Sequence, residues 1–267
     1  AIACNKKALE TKTMEKELMF GPKYEKYFDP KSYLISNYTS PEGEPGIAEF
    51  VLSHFHKFWN NFKGPNNSLT ILEFGGGPTI HTLISACPFA KEIIFSEYTQ
   101  RNREQVEAWL KKEEPFHDWS PFFKHVVQKL EGKSETEAIQ REEDLRKKIS
   151  CIVPCDIQAK NVVPLSGKKF DVVSSTLCID AAVNTDEDYQ KAVQKLANLL
   201  KPGGHLILIG VLNASFYVVG DQHFSCHSLS EALIRQALDK AGVIDVQYLS
   251  HKRNDIYTFF IVSGVVN

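Results

Sequence analysis

The chain has 267 residues, enough to bury a full core, and it reads as a single domain over 1–267. With 43% hydrophobic residues, 24% charged residues and a formal net charge of -2, it is neither a disordered polyelectrolyte nor a basic nucleic-acid binder. There is no apolar run of about 18 residues, and AIACNKKALETKTMEKELMF (1–20) lacks the apolar centre of a signal peptide. The expectations are therefore a cytoplasmic monomer with no membrane or nucleic-acid partner and a disordered N-terminal extension over 1–20.

Taken in chain order, GPKYEKYFDPKSYLISNYTSPEGEPG (21–46) is rich in Pro, Gly and Tyr, which places it outside the core as a lid. A helix is predicted over 49–62. LTILEF (69–74) and EIIFSE (92–97) follow as strands, then a helix over 101–113. EGKSETEAIQREEDLRKKIS (131–150) is densely charged and reads as a solvated helix or flexible insert. CIVPCD (151–156) and FDVVSST (170–176) are strands, EDYQKAVQKLANLL (187–200) a helix stopped by KPGG, HLILIG (205–210) a strand and LSEALIRQALDKAG (229–242) a helix. The runs IDVQYLS (244–250) and IYTFFIVSG (256–264) are joined too closely for a helical crossover, so they form an antiparallel hairpin. Strands that are apolar throughout and alternate with helices belong to an α/β fold with a mostly parallel sheet.

Six cysteines, Cys4, Cys87, Cys151, Cys155, Cys178 and Cys226, are scattered along the chain. Cys151 and Cys155 lack a second pair at zinc-like spacing, so free thiols and no metal are expected.

Chemistry concentrates after the first strand, in Glu73-Phe74-Gly75-Gly76-Gly77-Pro78-Thr79. Three glycines allow a sharp turn and a close approach of backbone to ligand. Glu97 ends the next strand, 22 residues after Gly75, where a carboxylate can accept both hydroxyls of a ribose. Neither the phosphate-binding G-x-x-x-x-G-K-[ST] pattern nor G-x-G-x-x-G is present, so a nucleoside cofactor without phosphates fits better. Cys155-Asp156-Ile157 closes the third strand with an acid suited to an adenine amine.

These residues resemble the class I methyltransferases, and within them the nicotinamide, phenylethanolamine and indolethylamine N-methyltransferases. The resemblance runs from about Tyr27 to the C-terminus through FDPKSYLISNY (28–38), FGGGPTI (74–80), SEYTQRN (96–102), AWLKKEEPFHDWSP (108–121), STLCIDAA (175–182), LLKPGGHLILIG (199–210) and FYVVGDQHFSC (216–226). It implies a Rossmann-like, doubly wound, mostly parallel seven-stranded sheet with an antiparallel C-terminal hairpin and an N-terminal lid. It also implies methyl transfer from S-adenosyl-L-methionine, released as S-adenosyl-L-homocysteine, to the nitrogen of a small amine. Tyr33 and Tyr38 would close over the cofactor. Gly75, Gly76, Gly77 and Thr79 would face its amino-acid moiety, and Glu97 its ribose, with Tyr98 and Asn102 nearby. Asp156 and Ile157 would hold adenine, while Thr176 and Ala182 line the pocket. Phe28, Asn213, Tyr217 and Cys226 would meet the acceptor.

The chain departs from the family at the acceptor. Gly210 stands where the nicotinamide enzyme has an aspartate, and Asn213-Ala214 replaces the acidic pair of the phenylethanolamine enzyme, while His81 follows the glycine loop. An arylalkylamine is thus favoured over nicotinamide. An alkylammonium must lose a proton before attack, and the candidate acceptors of that proton are Asp221, His223, His227 and Asp255.

Overall fold

The computed structural model describes residues 17–42, 47–253 and 257–267. Seven strands, β1 (Leu69–Phe74), β2 (Ala90–Glu97), β3 (Ile149–Pro154), β4 (Phe170–Thr176), β5 (Leu200–Leu212), β8 (Val243–Arg253) and β9 (Tyr257–Val266), form one sheet in the order β3-β2-β1-β4-β5-β9-β8. The first five pair in parallel, and β9 runs antiparallel to both β5 and β8. Each strand follows the expected position, and β5 starts earlier because Leu200 already pairs with Phe170 across KPGG.

The near-continuous apolarity of these strands has its cause in burial on both faces. Ile71, Ile93, Val172, Ile207, Phe259 and Ile261 point into one core, and their neighbours Leu72, Ile94, Val173, Leu208, Phe260 and Val262 into the other. The first core is covered by α3 (Ile47–Asn61), α4 (Gln100–Lys111), α5 (Ser120–Lys124), the π-helical turn His125–Leu130 and α6 (Glu135–Lys148). The second is covered by α8 (Asp186–Ala197) and α9 (Glu231–Lys240). Side chains alternate across a pleated strand, so two apolar layers demand two apolar residues in succession.

The charged run resolves into a built element. Ser134 and Glu137 form a capping box at the start of α6, and Ala138 and Leu145 are buried against the sheet. Arg141 spans the gap, donating to both oxygens of Glu131 at 2.9 Å and to the Ile84 carbonyl at 3.0 Å. Most of the charge of α6 lies on its outer face, while Arg141 and Arg146 are drawn inward by their partners.

The N-terminal segment folds as α1 (Pro22–Tyr27) and α2 (Pro30–Asn37), the latter capped by Asp29 on the Ser32 N–H. Both lie against a separate hairpin, β6 (Phe216–Val219) and β7 (Gln222–Ser225), turning at Gly220-Asp221. Phe28, Val219 and Phe224 form a small core of their own with Tyr24, Tyr33 and Tyr217 around it. Met19 extends that hairpin, its N–H donating to His223 and its carbonyl accepting from Ser225.

Candidate functional site

Strand order reverses between β1 and β4, and at such a switch point the loops leaving the two strands diverge and open a crevice. Here it is a cavity of about 370 Å³. Its floor is the glycine loop. Gly75 and Gly77 adopt φ of 67° and 61°, and a Cβ at Gly76 would stand 2.4 Å from the Phe95 ring. The loop is pinned from beneath, since Gly75 and Gly76 N–H both donate to the Ser96 carbonyl and Thr79 Oγ1 donates to the Gly76 carbonyl. Below it Glu73 is buried and receives the Ser174 hydroxyl; desolvation raises its carboxyl to about 7.

Glu97 faces the cavity from the end of β2. Its Oε1 accepts from the Thr99 N–H and Asn102 Nδ2, both at 2.9 Å, and its Oε2 accepts from the Gly77 N–H at 3.0 Å. With the Thr99 hydroxyl at 3.3 Å, four donors from the glycine loop and the start of α4 fix the carboxylate in one orientation. Asn102 is fully buried behind Glu97 and does not line the cavity; its place is structural support. Asp156 and Ile157 lie just past β3, with Asp156 Oδ1 taking the Gln158 N–H at 2.8 Å. Tyr98 forms the rim, and Thr176 and Ala182 the wall beyond β4.

The opposite half is aromatic. Tyr24, Phe28, Tyr33, Tyr38 and Tyr217 line it, with Tyr33 and Tyr38 hydroxyls 3.4 Å apart. Burial pushes the phenols of Tyr24, Tyr38 and Tyr217 well above their ordinary range, so each remains a neutral hydroxyl. Cys226 completes this side.

Asp180 stands out here, a carboxylate that the sequence reading gave no role. It sits in the short helix α7 (Ile179–Ala182) directly after β4, lines the cavity and is 7% exposed. Burial raises its carboxyl to about 6, against the opposing pull of nearby backbone N–H groups and His227. The only sequence signal was an acid set among apolar residues in CIDAA; its burial depends on the β6 and α8 side chains that close around it.

His81, noted as a departure, also lines the cavity. Its two ring nitrogens are buried without a protein partner, the ring lies 4.8 Å from Tyr38, and desolvation lowers its pKa to about 3.

Other expected residues fall elsewhere. Asn213 is exposed at φ 56°, its N–H bonded to the Leu229 carbonyl, so it turns the chain away from the cavity instead of meeting an acceptor. Asp221 occupies the exposed hairpin turn, too far out to take a proton from a bound ligand. His223 stacks on Phe216 outside the cavity lining. His227 is not a lining residue either, although its N–H donates to the Asp180 carbonyl at 2.7 Å. Asp255 lies outside the described residues. Cys87, Cys151, Cys155 and Cys178 are free thiols, and Cys4 lies outside the described residues.

The sequence profile of the NNMT/PNMT/TEMT family matches residues 16–266. The chain belongs to that family. Relatives include the indolethylamine N-methyltransferase of Oryctolagus cuniculus, 35% identical over 88% of this chain and 89% of the relative. The nicotinamide N-methyltransferase of Homo sapiens is 34% identical over 90% and 94%, and the phenylethanolamine N-methyltransferase of Sus scrofa is 30% identical over 81% and 77%. Among solved structures, an S-adenosylmethionine-dependent methyltransferase from Clostridium acetobutylicum superposes with a TM-score of 0.54 at 13% identity, covering 90% of this chain and 100% of that one. Such a distant match speaks to the fold alone.

Family membership makes the protein an S-adenosylmethionine-dependent small-molecule N-methyltransferase. Its cavity fits that donor. No lysine or arginine lines it among the described residues, which suits a nucleoside without phosphates. The Gly75–Gly77 backbone, Glu97 and Asp156 supply a bare cradle with acceptors for hydroxyl and amine donors.

Proposed function

We propose that the acceptor is a small arylalkylamine, bound in the aromatic half of the cavity with its nitrogen toward Asp180. The carrying observation is Asp180 itself: a buried acid lining the cavity and acting on Tyr33 and Tyr217 suits one cationic head on an aromatic body. Ring faces attract a cation by roughly 0.5–2 kcal/mol each, and a carboxylate in a dry wall adds a charge-assisted bond. Gly210 packs under Phe260 and does not line this cavity, so Asp180 supplies from another direction the carboxylate missing at the end of β5.

In this reading the donor lies along the glycine loop. Gly75, Gly76, Gly77 and Thr79 face its amino-acid part, Glu97 holds the ribose with Asn102 behind it, and Asp156 and Ile157 hold adenine. Tyr33 and Tyr38 close over it beside Tyr98, Thr176 and Ala182, while Phe28, Tyr217 and Cys226 contact the acceptor. When bound, the donor supplies an electrophilic methyl group on a sulfonium. The protein's contribution is alignment, which in ideal cases lowers a barrier by roughly 7–11 kcal/mol, together with acceptance of the ammonium proton by Asp180.

The test is steady-state kinetics with phenylethylamine, tryptamine and nicotinamide. The amines should show the higher kcat/KM; preference for nicotinamide overturns the proposal. Asp180→Asn should lower kcat/KM for the amines by about ten- to a hundredfold, the worth of one bond to a charged group. Because Asp180 is neutral below about pH 6 and anionic above it, amine turnover by the native protein should rise through that pH, and the variant should lack this limb.

A further inference from the structure

Resting on that reading, we infer that His227 is the proton-transfer residue behind Asp180, carrying the acceptor's proton from the cavity wall to Asp186 at the surface. Proton balance creates the need. An amine arrives as R–NH3+, gives one proton to Asp180 and attacks; the N–CH3 bond forms as the S–CH3 bond breaks, its electron pair staying on sulfur. The products are a methylated ammonium and a neutral thioether, so one proton per turnover stays on Asp180 and must leave before the next cycle.

Asp180 is nearly covered, and the groups that interact with it from the packed elements are poor proton carriers. Tyr33 of α2, Tyr217 of β6, Tyr189 of α8 and Cys178 all have their acidity suppressed by burial. His227 is the remaining one. Its backbone N–H donates to the backbone carbonyl of Asp180 at 2.7 Å, which holds the two residues side by side, and it interacts electrostatically with the Asp180 carboxyl. On the far side its Nε2 lies 2.7 Å from Asp186 Oδ1. The His227 side chain is 17% exposed and that of Asp186 is 70% exposed, so burial falls stepwise from Asp180 to His227 to Asp186. An imidazole has two nitrogens, so it can gain a proton at one and release another from the other.

The alternative is that His227 only ties the exit of the hairpin to the start of α8. His227→Gln separates the two, because the amide can still donate to Asp186 yet cannot carry a proton; His227→Leu serves as a second variant. With phenylethylamine at pH 7, kcat should fall about tenfold to a hundredfold, part of the range for acid–base assistance. The deficit should shrink as pH approaches the amine's own pKa, where the acceptor arrives already deprotonated, and added imidazole should restore turnover at pH 7. Affinity for S-adenosylhomocysteine by calorimetry and Tm should stay within twofold and two degrees of the native protein, by roughly the measure of an exposed ion pair. A kcat that is unchanged, or one that falls equally at every pH without imidazole rescue, overturns the relay. Failure of the native protein to methylate any amine overturns the proposed function and the relay with it, whereas normal native turnover with an indifferent His227→Gln overturns the relay alone.

Discussion

The two halves of the cavity are built by opposite means. The half around Gly75–Thr79 and Glu97 is held by hydrogen bonds from strand ends, each backbone or carboxylate group carrying a partner within about four residues of a strand. The half around Tyr24, Phe28, Tyr33 and Tyr217 is held by ring contacts between segments far apart in sequence, with centroids 5.5 Å apart for Tyr24 and Phe224 and 5.6 Å for Phe28 and Phe224. Hydrogen bonds are short-ranged and directional, so the first half tolerates little displacement; apolar contacts slide, so the second can open.

The sharpest way to break this contrast is Gly76→Val. Its Cβ would overlap Phe95 in the stiff half, which should cost about 1–3 kcal/mol of stability by overpacking and move the loop enough to lower donor affinity by roughly a hundredfold. Differential scanning calorimetry and calorimetric titration with S-adenosylhomocysteine read the two effects; a variant that binds normally shows that the loop can yield.

Glu73 offers the next effect, through pH. Its folded carboxyl is raised from 4.5 to about 7, so the folded state holds that proton more tightly than the unfolded chain does. The resulting stability is complete below about pH 4.5 and is lost as pH rises through 7, amounting to roughly 3 kcal/mol. Glu73→Gln, which stays neutral, should therefore gain stability over the native protein as pH rises from 5 to 8 in urea melts; parallel curves refute the assignment.

Glu97→Gln comes third. It keeps one oxygen for the Thr99 and Asn102 donors but loses the charge, so donor affinity should fall by roughly 1.5–3 kcal/mol while folding is less affected. An unchanged calorimetric Kd argues that the ribose is not held there. The smallest effect is expected in the aromatic half: S-adenosylhomocysteine should slow amide exchange across Phe28–Tyr38 by severalfold, and equal exchange with and without ligand would show that this segment is no lid.

The same contrast explains what could be read before the structure. β1 is legible to the residue because LTILEF is bounded by Ser68 and by glycines that must leave the strand. The glycine loop and Glu97 are legible because the chemistry of their half is local to strand ends. Phe216–Ser225 carries alternating side chains about Gly220-Asp221, a hairpin pattern, yet its aromatic content draws attention to ligand contact instead, and the turn takes Asp221 out of reach of the cavity. Asp180 was illegible as a site because nothing local buries it: Tyr189 and Tyr217 arrive from α8 and β6. The covering role of α6 was hidden in the same way, since Arg141 looks like a surface charge until Glu131 and the Ile84 carbonyl are placed around it.

The small cluster of Phe28, Val219 and Phe224 joins the N-terminal helices to the β6–β7 hairpin beside the aromatic half of the cavity. Parting the N-terminal helices from the β6–β7 hairpin would fully expose three such side chains, at roughly 4–9 kcal/mol. If ligands pass that way, an opening of that size is rare and product escape competes with chemistry for the slowest step. Turnover in solutions thickened with sucrose should then fall in proportion to viscosity, and trimming Phe224 to Leu should speed release while leaving the donor's cradle untouched.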